Sequence, residues 1–355
     1  MSLKTPSPLW GDALSNMMRA PKANPFPEVI GTFMARDALS LAAARLNFGG
    51  NDAVLLPAYL CREVLKPFLG KTRVEFYDVQ PDLAVDPEEI RRKLAGKNVK
   101  AALIINYFGF LQPHRTEIKQ LVSDRGVFLI EDCAHSLLTE GSGDVGDFCI
   151  YSFRKILPLT DGGGLKVNMA GENVKPEFYP KVYSNVLSVF AIAKSLLNVR
   201  SATLSRAGLS LGSEATASST TSQSKPERFL PLSSFSYNGI GNSSFPEIIH
   251  RRRIDYQFWE ELGDETKLFS PVFSELYAGV CPMGCPVKAE RRDVLVAALL
   301  KQGISAKIHW ELPATIGKEF KYSHALSTML ITLPVYPELT KEGRERISLT
   351  LRSGI

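Results

Sequence analysis

Two ionisable residues in the middle of the chain occupy positions where chemistry is expected. Asp132 follows the apolar run Phe128–Ile130, and Lys155 lies between the β-prone run Tyr151–Phe153 and the turn Asp161–Gly164. A carboxylate at the end of a buried strand needs a cation or hydrogen bonds, because an unpaired buried charge is costly. A lysine amine can attack a carbonyl carbon to form a Schiff base. Each residue also has a plainer interpretation, since Asp132 could cap the following helix and Lys155 could be a surface charge.

The segments that carry these residues resemble the DegT/DnrJ/EryC1/StrS family of sugar aminotransferases, which depend on pyridoxal phosphate (PLP). In that family a strand ending in E-D-x-A-[QH] precedes an S-F-x(n)-K segment and a G-D-G-G turn. The corresponding segments here are Glu131–His135, Ser152–Lys155 and Asp161–Gly164. Further segments that match in the family's order are Phe33–Leu39, Leu56–Tyr59, Asn106–Gly109, Gly303–Ile304, His309–Trp310 and Leu333–Thr340. The resemblance therefore extends through most of the chain.

The resemblance implies a role for three residues around the cofactor ring. Lys155 would hold PLP as a Schiff base and would later move a proton between the substrate carbon and the C4′ atom of the cofactor. Asp132 would face the pyridine nitrogen and keep it protonated, so that the ring withdraws electrons. His135 would donate a hydrogen bond near the 3′-oxygen of the cofactor, and a purely structural role is the alternative.

The resemblance also implies where the phosphate of the cofactor binds. The backbone N–H groups of Arg36 and Asp37, next to Ala35, open a predicted helix, and helix N-termini bind anions. The Ser152 hydroxyl is expected to add a hydrogen bond. Family members place residues from two subunits at each site, and Asn238 is the predicted match for the segment that a second subunit contributes.

Three positions depart from the family pattern. Arg154 alone precedes the lysine where three residues are usual, which shortens the lysine loop. Cys61 stands where many members have an aromatic residue that stacks on the cofactor ring, so stacking is either lost or supplied by Tyr59. Arg36 replaces a small residue and could reach a phosphate itself. The other nearby lysine, Lys166, lies inside a predicted strand and is the weaker candidate for the Schiff base.

The apolar pattern predicts an α/β fold in two parts. From residue 37 to residue 168, helix-like runs alternate with short β-rich runs, which is typical of a mainly parallel sheet covered by helices. The resemblance implies a fold-type I PLP-dependent transferase, with a seven-stranded sheet in a large domain and a smaller α+β C-terminal domain. We place the large domain at residues 1–245 and the small domain at residues 246–355. The Ser/Thr-rich stretch 201–225 is interpreted as a loop or linker.

Periodicity and turn signals predict the individual elements. The predicted strands are Ala53–Leu56, Arg73–Val79, Ala101–Tyr107, Gly126–Ile130, Phe148–Phe153, Gly164–Asn168 and Cys285–Val287. The predicted helices are Ala38–Leu46, Cys61–Leu69, Asp86–Leu94, His114–Ser123, Pro246–Leu262 and Glu290–Gln302. Because ligands bind outside the carboxyl ends of strands in open α/β sheets, Asp132 and Lys155 are expected at one end of the sheet.

The composition disfavours nucleic-acid-binding and secreted proteins. The formal net charge is only +5 over 355 residues, and the basic residues are scattered, so no nucleic-acid partner is expected. The basic cluster His250–Arg253 is interpreted as a solvated helix face. Five irregularly spaced cysteines indicate a reduced, cytoplasmic setting. The close pair Cys281 and Cys285 has no second pair nearby, so no metal site is expected.

A membrane location is also disfavoured. The N-terminal residues lack the pattern of a signal peptide. The most apolar stretch, Val186–Val199, is too short to span a bilayer and carries Lys194, so it is predicted to be a buried or partner-covered helix.

The most specific expectation is a transaminase with two small-molecule substrates. The resemblance implies transfer of an amino group from an amino acid such as glutamate to a keto group of a nucleotide-linked sugar, by a homodimer with shared active sites. One alternative is a sugar dehydratase of the same family, but such members carry histidine in place of Lys155. Another is a non-catalytic scaffold for binding or regulation, which the short lysine loop and Cys61 would suit.

Overall fold

A seven-stranded sheet forms the centre of the protein, whose structure here is a computed structural model. The structure describes residues 9–169, 175–197, 228–337 and 339–353. The Ser/Thr-rich stretch 201–225 lies outside the described residues. The strands are β1 (Ile30–Thr32), β2 (Ala53–Pro57), β3 (Arg73–Tyr77), β4 (Val99–Ile105), β5 (Phe128–Asp132), β6 (Phe148–Ser152) and β7 (Gly163–Val167).

The order of the strands is β1-β7-β6-β5-β4-β2-β3. The five strands from β6 to β3 run parallel, whereas β7 and β1 are antiparallel to their neighbours. The central strands β2, β4, β5 and β6 are almost wholly buried, which explains why they appear as near-continuous apolar runs. The predicted mainly parallel α/β sheet is therefore confirmed, and β1 is a short addition that the sequence pattern did not indicate.

Helices pack against this sheet or follow it in the chain. The first seven are α1 (Leu9–Met18), α2 (Ala35–Leu46), α3 (Arg62–Leu65), α4 (Pro87–Leu94), α5 (Arg115–Ser123), α6 (Phe153–Ile156) and α7 (Lys181–Leu197). Asp86 caps α4 as predicted, since its side chain accepts a hydrogen bond from the N–H of Glu88 and Pro87 opens the helix.

The predicted helix Cys61–Leu69 is wrong in length, because α3 covers only Arg62–Leu65. Pro67 has no N–H to donate to the carbonyl of Glu63, so the α-helical hydrogen bonds stop there. The chain continues through turns to β3. This early end leaves Cys61 at the N-terminal end of a single short turn of helix.

The C-terminal part builds a second, smaller sheet with its own apolar cluster. The remaining elements are α8 (Ser234–Asn242), α9 (Phe245–Thr266), β8 (Ser270–Pro271), β9 (Cys285–Lys288), α10 (Arg292–Lys301), α11 (Lys321–Met329), β10 (Leu330–Leu333) and α12 (Lys341–Arg352). The strands pair antiparallel in the order β10-β9-β8. Trp259 of α9 is fully buried in this cluster and donates to the carbonyl of Pro334. The domain boundary near residue 246 stays a prediction.

Two predictions about helix surfaces are corrected. In α7, which contains most of the apolar stretch Val186–Val199, Val186, Val189 and Phe190 are exposed, so a helix buried within one chain is wrong. Cover by a partner stays a prediction. The basic cluster His250–Arg253 is not a uniformly solvated face either, because Arg252 is 3 % exposed. Among the described residues, no helix has the length and apolarity needed to cross a bilayer.

Candidate active site

Asp132 and Lys155 come from neighbouring strands of the large sheet. β5 ends at Asp132, and the parallel strand β6 pairs its Ile150 with Asp132 and ends at Ser152. The four-residue helix α6 follows directly and carries Lys155. Both side chains therefore lie beyond the carboxyl ends of adjacent parallel strands, where α/β sheets bind ligands. The fold thus brings together the two residues on which the predicted chemistry depends.

The carboxylate of Asp132 is 8 % exposed and is fixed by the backbone. The N–H of Ala134 donates a hydrogen bond of 2.9 Å to Asp132 Oδ1. Burial raises the pKa of Asp132, while the charge of Lys155 and the Ala134 hydrogen bond oppose that rise. Turns rather than a helix follow β5, so the interpretation of Asp132 as a helix cap is wrong. A buried carboxylate with one fixed oxygen is suited to hold a cationic group.

Lys155 lies in a cleft that solvent reaches but that protein atoms surround. Its side chain is exposed, and yet desolvation by the cleft walls lowers the pKa of its amine. The charges of Asp132 and Cys61 act in the opposite direction, whereas Arg154 and Lys307 lower the pKa further. A lowered pKa increases the neutral fraction of the amine, which is the form that attacks a carbonyl carbon. A lowered pKa is consistent with the nucleophilic role predicted for Lys155, which stays a prediction.

The second lysine of this region points elsewhere. Lys166 of β7 pairs with Cys149 in the sheet, and its Nζ donates to the carbonyl oxygen of Gly143 at 3.4 Å. Gly143 belongs to the loop between β5 and β6, and its N–H lies against Glu131 rather than Asp132. Because side chains alternate along a strand, Glu131 and Asp132 lie on opposite faces of β5. Lys166 therefore lies on the side of the sheet away from Asp132.

Glu131 anchors the end of β5, although we assigned it no separate role from the sequence. It is fully buried, and Asn106 Nδ2 donates to its Oε1 at 2.8 Å. Arg115 Nη1 lies 3.4 Å from the same oxygen. The remaining donors are the backbone N–H groups of Gly143, Val145 and Gly146. A carboxylate with this many donors holds the loop before β6 and fixes the position of Asp132.

His135 lies beside the pair on the turn after β5. It is 2 % exposed, and its Nδ1 accepts a hydrogen bond of 3.2 Å from the N–H of Phe108. Burial lowers the pKa of His135 well below its usual value, and the charges of Lys155 and His309 lower it further. His135 is therefore a neutral imidazole close enough to Lys155 to respond to its charge.

His309 and Trp310 complete this wall of the site, and neither had been predicted as a site residue. The ring centroids of His135 and Trp310 are 5.6 Å apart, and those of His135 and His309 are 6.3 Å apart. Burial, with help from Lys155 and Lys307, lowers the pKa of His309 to about 3. The H-W motif was visible in the sequence, but nothing in its local pattern indicates contact with residue 135.

Tyr59 and Cys61 have different places in the site. Tyr59 is fully buried, its hydroxyl donates to the carbonyl of His309, and its ring packs 5.3 Å from that of Trp310. A stacking ring must be exposed to the ligand, so the suggestion that Tyr59 supplies the missing stacking is wrong. Cys61 is half-buried, and its charge acts on Lys155. Cys61 therefore lies near Lys155, and its place beside the cofactor ring stays a prediction.

The N-terminus of α2 lies directly against the glycine turn before β7. Gly163 pairs with Thr32 of β1 and with Ser152 of β6. A Cβ atom at Gly163 would overlap the carbonyl group of Met34 and the amide nitrogen of Ala35. Glycine is therefore required here, because it lets the start of α2 approach the end of β6.

The first turn of α2 differs from the prediction in one detail. The N–H of Asp37 donates to the carbonyl of Met34 at 3.0 Å, and the Asp37 carboxylate accepts from the N–H of Met34. The Asp37 amide is thus already bonded, and the amides of Ala35 and Arg36 are the ones with no acceptor inside the helix. Arg36 forms an ion pair of 2.7 Å with Glu63, which holds its guanidinium beside this helix end.

Asp161, the acid of the glycine turn, is a buried anchor. It is completely buried, and its carboxylate accepts a hydrogen bond of 3.0 Å from the N–H of Ser233. The hydroxyl groups that also donate to it belong to Thr160, Ser188, Ser233 and Ser236. Asp161 therefore ties the turn to α7 and α8, which keeps the chain after Lys155 in place.

Ser152 and Asn238 are the last two predicted residues. Ser152 is 2 % exposed and ends β6 beside Gly163, and no described residue forms a hydrogen bond with its hydroxyl. The amide nitrogen of Asn238 donates to the carbonyl of Met17 in the same chain, which joins α8 to α1. Within one chain Asn238 is therefore a structural residue, and a role across a subunit interface stays a prediction.

These features suit a PLP-sized aldehyde with a phosphate group. The amine of Lys155 would take the aldehyde, Asp132 would pair with a protonated ring nitrogen, and the α2 amides with the Ser152 hydroxyl would hold the phosphate. The Ser152 hydroxyl has no hydrogen-bond partner among the described residues, and Ser152 pairs with Gly163, against which the start of α2 packs. Among the described residues, no group of three His, Cys, Asp or Glu side chains could hold a metal ion.

Comparison with known proteins supports the same assignment. Residues 26–175 match the model of the DegT/DnrJ/EryC1/StrS aminotransferase family. The matched DegT/DnrJ/EryC1/StrS segment contains α2, the strands of the large sheet and both Asp132 and Lys155.

Two curated proteins match part of the chain. The chain is 29 % identical over 132 residues to L-glutamine:2-deoxy-scyllo-inosose aminotransferase of Streptomyces kanamyceticus, covering 36 % of this chain and 30 % of that protein. It is 28 % identical over 139 residues to GDP-perosamine synthase of Vibrio cholerae, covering 37 % of each chain. The chain thus matches about a third of the length of these relatives.

The whole fold is similar to that of a solved aminotransferase structure. The aminotransferase TlmJ from Streptoalloteichus hindustanus has a TM-score of 0.69, with 97 % of this chain and 89 % of that chain covered at 19 % identity. At this identity the likeness concerns the fold. It confirms the predicted fold class, an α/β fold of the fold-type I kind, over nearly the full length.

Proposed function

We propose that this protein is a PLP-dependent aminotransferase. The observation that carries the proposal is the placement of Asp132 and Lys155 beyond the carboxyl ends of adjacent parallel strands, close enough for the charge of Asp132 to act on the lysine amine. PLP, when bound, supplies an aldehyde for the lysine and an electron-withdrawing ring that stabilises charge on the substrate carbon. The match of residues 26–175 to the model of an aminotransferase family supports the same reaction class.

The proposed roles of Lys155, Asp132 and His135 follow from where each residue lies. Lys155 would bind the aldehyde carbon of PLP and, once released by substrate, would move a proton at the substrate carbon. Asp132 would hold a proton on the ring nitrogen, because a cation beside a buried carboxylate favours the charged form of both groups. His135 is neutral and carries its hydrogen on Nε2, because its Nδ1 accepts from Phe108. It therefore orients an oxygen acceptor without adding charge.

The substrates are proposed as an amino acid donor, such as glutamate, and a keto group on a nucleotide-linked sugar. Two matched relatives support this class, since the names of both describe the synthesis of aminated sugars or cyclitols. We also propose a cytoplasmic homodimer in which the second subunit completes the site, as the family resemblance implies. The dehydratase alternative is disfavoured because Lys155 occupies the position of the histidine in such members.

The first test traps the cofactor on the protein. Purified full-length protein is mixed with PLP, its absorbance is recorded before and after borohydride, and the reduced adduct is located by peptide mass mapping. We expect the adduct on Lys155 and its loss in Lys155→Ala. Lys166→Ala is the matched control, because it removes a nearby lysine on the other side of the sheet, and it should retain the adduct.

The second part of the test asks for transamination. Addition of L-glutamate should move the absorbance of the bound cofactor to shorter wavelength as the amino group is transferred. Absence of any adduct in the wild-type protein would overturn the proposal and favour a non-catalytic scaffold. An adduct that survives in Lys155→Ala would move the reacting amine to another lysine.

A further inference from the structure

We propose that Arg252 is a positioning residue, which fixes the turn that carries Lys155 and joins it to the wall that carries His135. The inference rests on the proposed function for its importance to catalysis. It goes beyond that function, because Arg252 donates to backbone carbonyls on both sides of the site and would act through the position of Lys155.

Arg252 contacts the short helix α6, which carries Lys155. Arg252 lies in the second turn of α9 and is 3 % exposed. Its Nη2 donates to the carbonyl oxygen of Ile156 at 3.0 Å and to that of Lys155 at 3.5 Å. The helix α6 has only four residues, so the carbonyls of Lys155 and Ile156 have no N–H partner within it. The guanidinium supplies the donors that this short helix lacks.

The other side of the contact leads to His135. Arg252 Nη1 donates to the carbonyl oxygens of Pro282 and Met283 at 3.0 and 3.1 Å. The N–H of Met283 in turn donates to the carbonyl of Phe108 at 2.8 Å, and the N–H of Phe108 donates to His135 Nδ1. A single guanidinium thus connects the backbone beside Lys155, through one loop, to the residue that orients His135.

The chemistry of arginine suits this place. Burial of a cation is costly unless acceptors satisfy its N–H groups. The planar guanidinium can donate hydrogen bonds to several carbonyl oxygens at once. Two of these bonds join Arg252 to residues 97 and 96 positions earlier in the chain, and the other two join it to residues 30 and 31 positions later. Removal of the guanidinium would free α6 and let the Lys155 amine move away from the cleft walls that desolvate it.

The next residue in the chain provides a matched control. Arg253 also donates to backbone carbonyls, at Tyr277, Val280 and Leu276, with distances of 2.7, 2.9 and 3.2 Å. None of these carbonyls belongs to the Lys155 turn or to residues 282–283. Arg253→Met therefore removes a comparable number of hydrogen bonds from the same helix without changing the support of Lys155.

The test measures Lys155 in the full-length protein without cofactor. Competitive labelling with acetic anhydride over a range of pH, followed by peptide mapping, gives the reactivity of each lysine. In Arg252→Met the midpoint for Lys155 should move to higher pH, because the burial that lowers its pKa is relaxed. In Arg253→Met it should stay at the wild-type value. The charges acting most strongly on Lys155 come from other residues, so the expected change arises from position.

A second readout links the same variants to PLP. The rate at which borohydride-trappable adduct forms on Lys155 should fall about tenfold or more in Arg252→Met, since small displacements of a reacting group have large effects. Arg252→Lys keeps the positive charge but not the planar guanidinium. Its rate of adduct formation should therefore lie between those of Arg252→Met and wild type. If Arg252→Met does not fold, Arg252→Lys is the variant in which both readouts are measured.

The outcomes separate the two proposals. An unchanged labelling midpoint in both Arg252 variants, or an equal change in Arg253→Met, would overturn the positioning role. A wild-type protein that forms no PLP adduct would overturn the proposed function, and the labelling experiment would still decide the role of Arg252 because it uses no cofactor.

Discussion

The backbone N–H of Phe108 donates a hydrogen bond of 3.2 Å to the Nδ1 atom of His135. A ring nitrogen that accepts a hydrogen bond carries no hydrogen, so neutral His135 must carry its hydrogen on Nε2. Burial and the charge of Lys155 keep this imidazole neutral, since both lower its pKa. The backbone has thus selected one tautomer before any ligand binds.

His135 should therefore not titrate near neutral pH. We expect ¹⁵N NMR of histidine-labelled protein to show a neutral ring with hydrogen on Nε2 between about pH 5 and 8. His135→Gln keeps an N–H donor and should bind PLP nearly as well as wild type, whereas His135→Leu should bind about tenfold more weakly, the value of one hydrogen bond. A normal histidine titration, or equal affinity of both variants for PLP, would contradict this assignment.

The central pair was predictable because its signals are local. An apolar run followed by an acid marks β5 and Asp132, and a second β-run followed by a glycine turn marks β6 and Lys155. The carboxyl ends of parallel strands meet at one edge, so two such patterns in sequence predict a shared site. The N-terminus of α2 was found in the same way, but which of its amides bond internally depends on the side chain of Asp37.

The roles that could not be predicted from the sequence depend on packing between residues that are far apart in the chain. Arg252 looks like its neighbours Arg251 and Arg253, and only the way α9 lies on residues 282–283 decides that it is the buried one. His309 and Trp310 reach the site from 174 and 175 positions beyond His135, with ring contacts that no local periodicity encodes.

The close approach of α2 to the glycine turn predicts that Gly163 is intolerant of substitution. In Gly163→Ala the added methyl group would overlap Met34 and Ala35, so the start of α2 must move. We expect a loss of about 3 kcal/mol or more in the free energy of unfolding. Because the same helix end is the proposed phosphate site, the affinity for PLP should fall as well.

Gly50→Ala is the control for this substitution, because a Cβ atom there would meet nothing within 4 Å. Its stability should stay within about 0.5 kcal/mol of wild type. Thermal or urea unfolding measures the stability of both variants, and fluorescence titration measures PLP binding. A Gly163→Ala protein with wild-type stability and affinity would show that the contact between α2 and the turn is not required.

Asp37 should make the stability of the protein depend on pH in a defined window. Burial raises the pKa of Asp37 from 3.8 to about 6, against the opposing effects of the Met34 hydrogen bond and Arg36. The folded state therefore holds this proton more tightly than the unfolded state. Its stabilising contribution is complete below about pH 4 and is lost as pH rises to about 6, because the folded protein must then bury a charge.

Asp37→Asn removes this titration but keeps an oxygen that can accept from the N–H of Met34. Relative to wild type, its free energy of unfolding should increase by about 1 to 3 kcal/mol between pH 4 and pH 7, as measured by urea unfolding at each pH. Asp37→Ala should follow the same pH dependence but lie about 1 kcal/mol lower, because it also loses the hydrogen bond at the start of α2. Parallel curves for wild type and both variants would show that Asp37 ionises in the folded protein as it does in the unfolded chain.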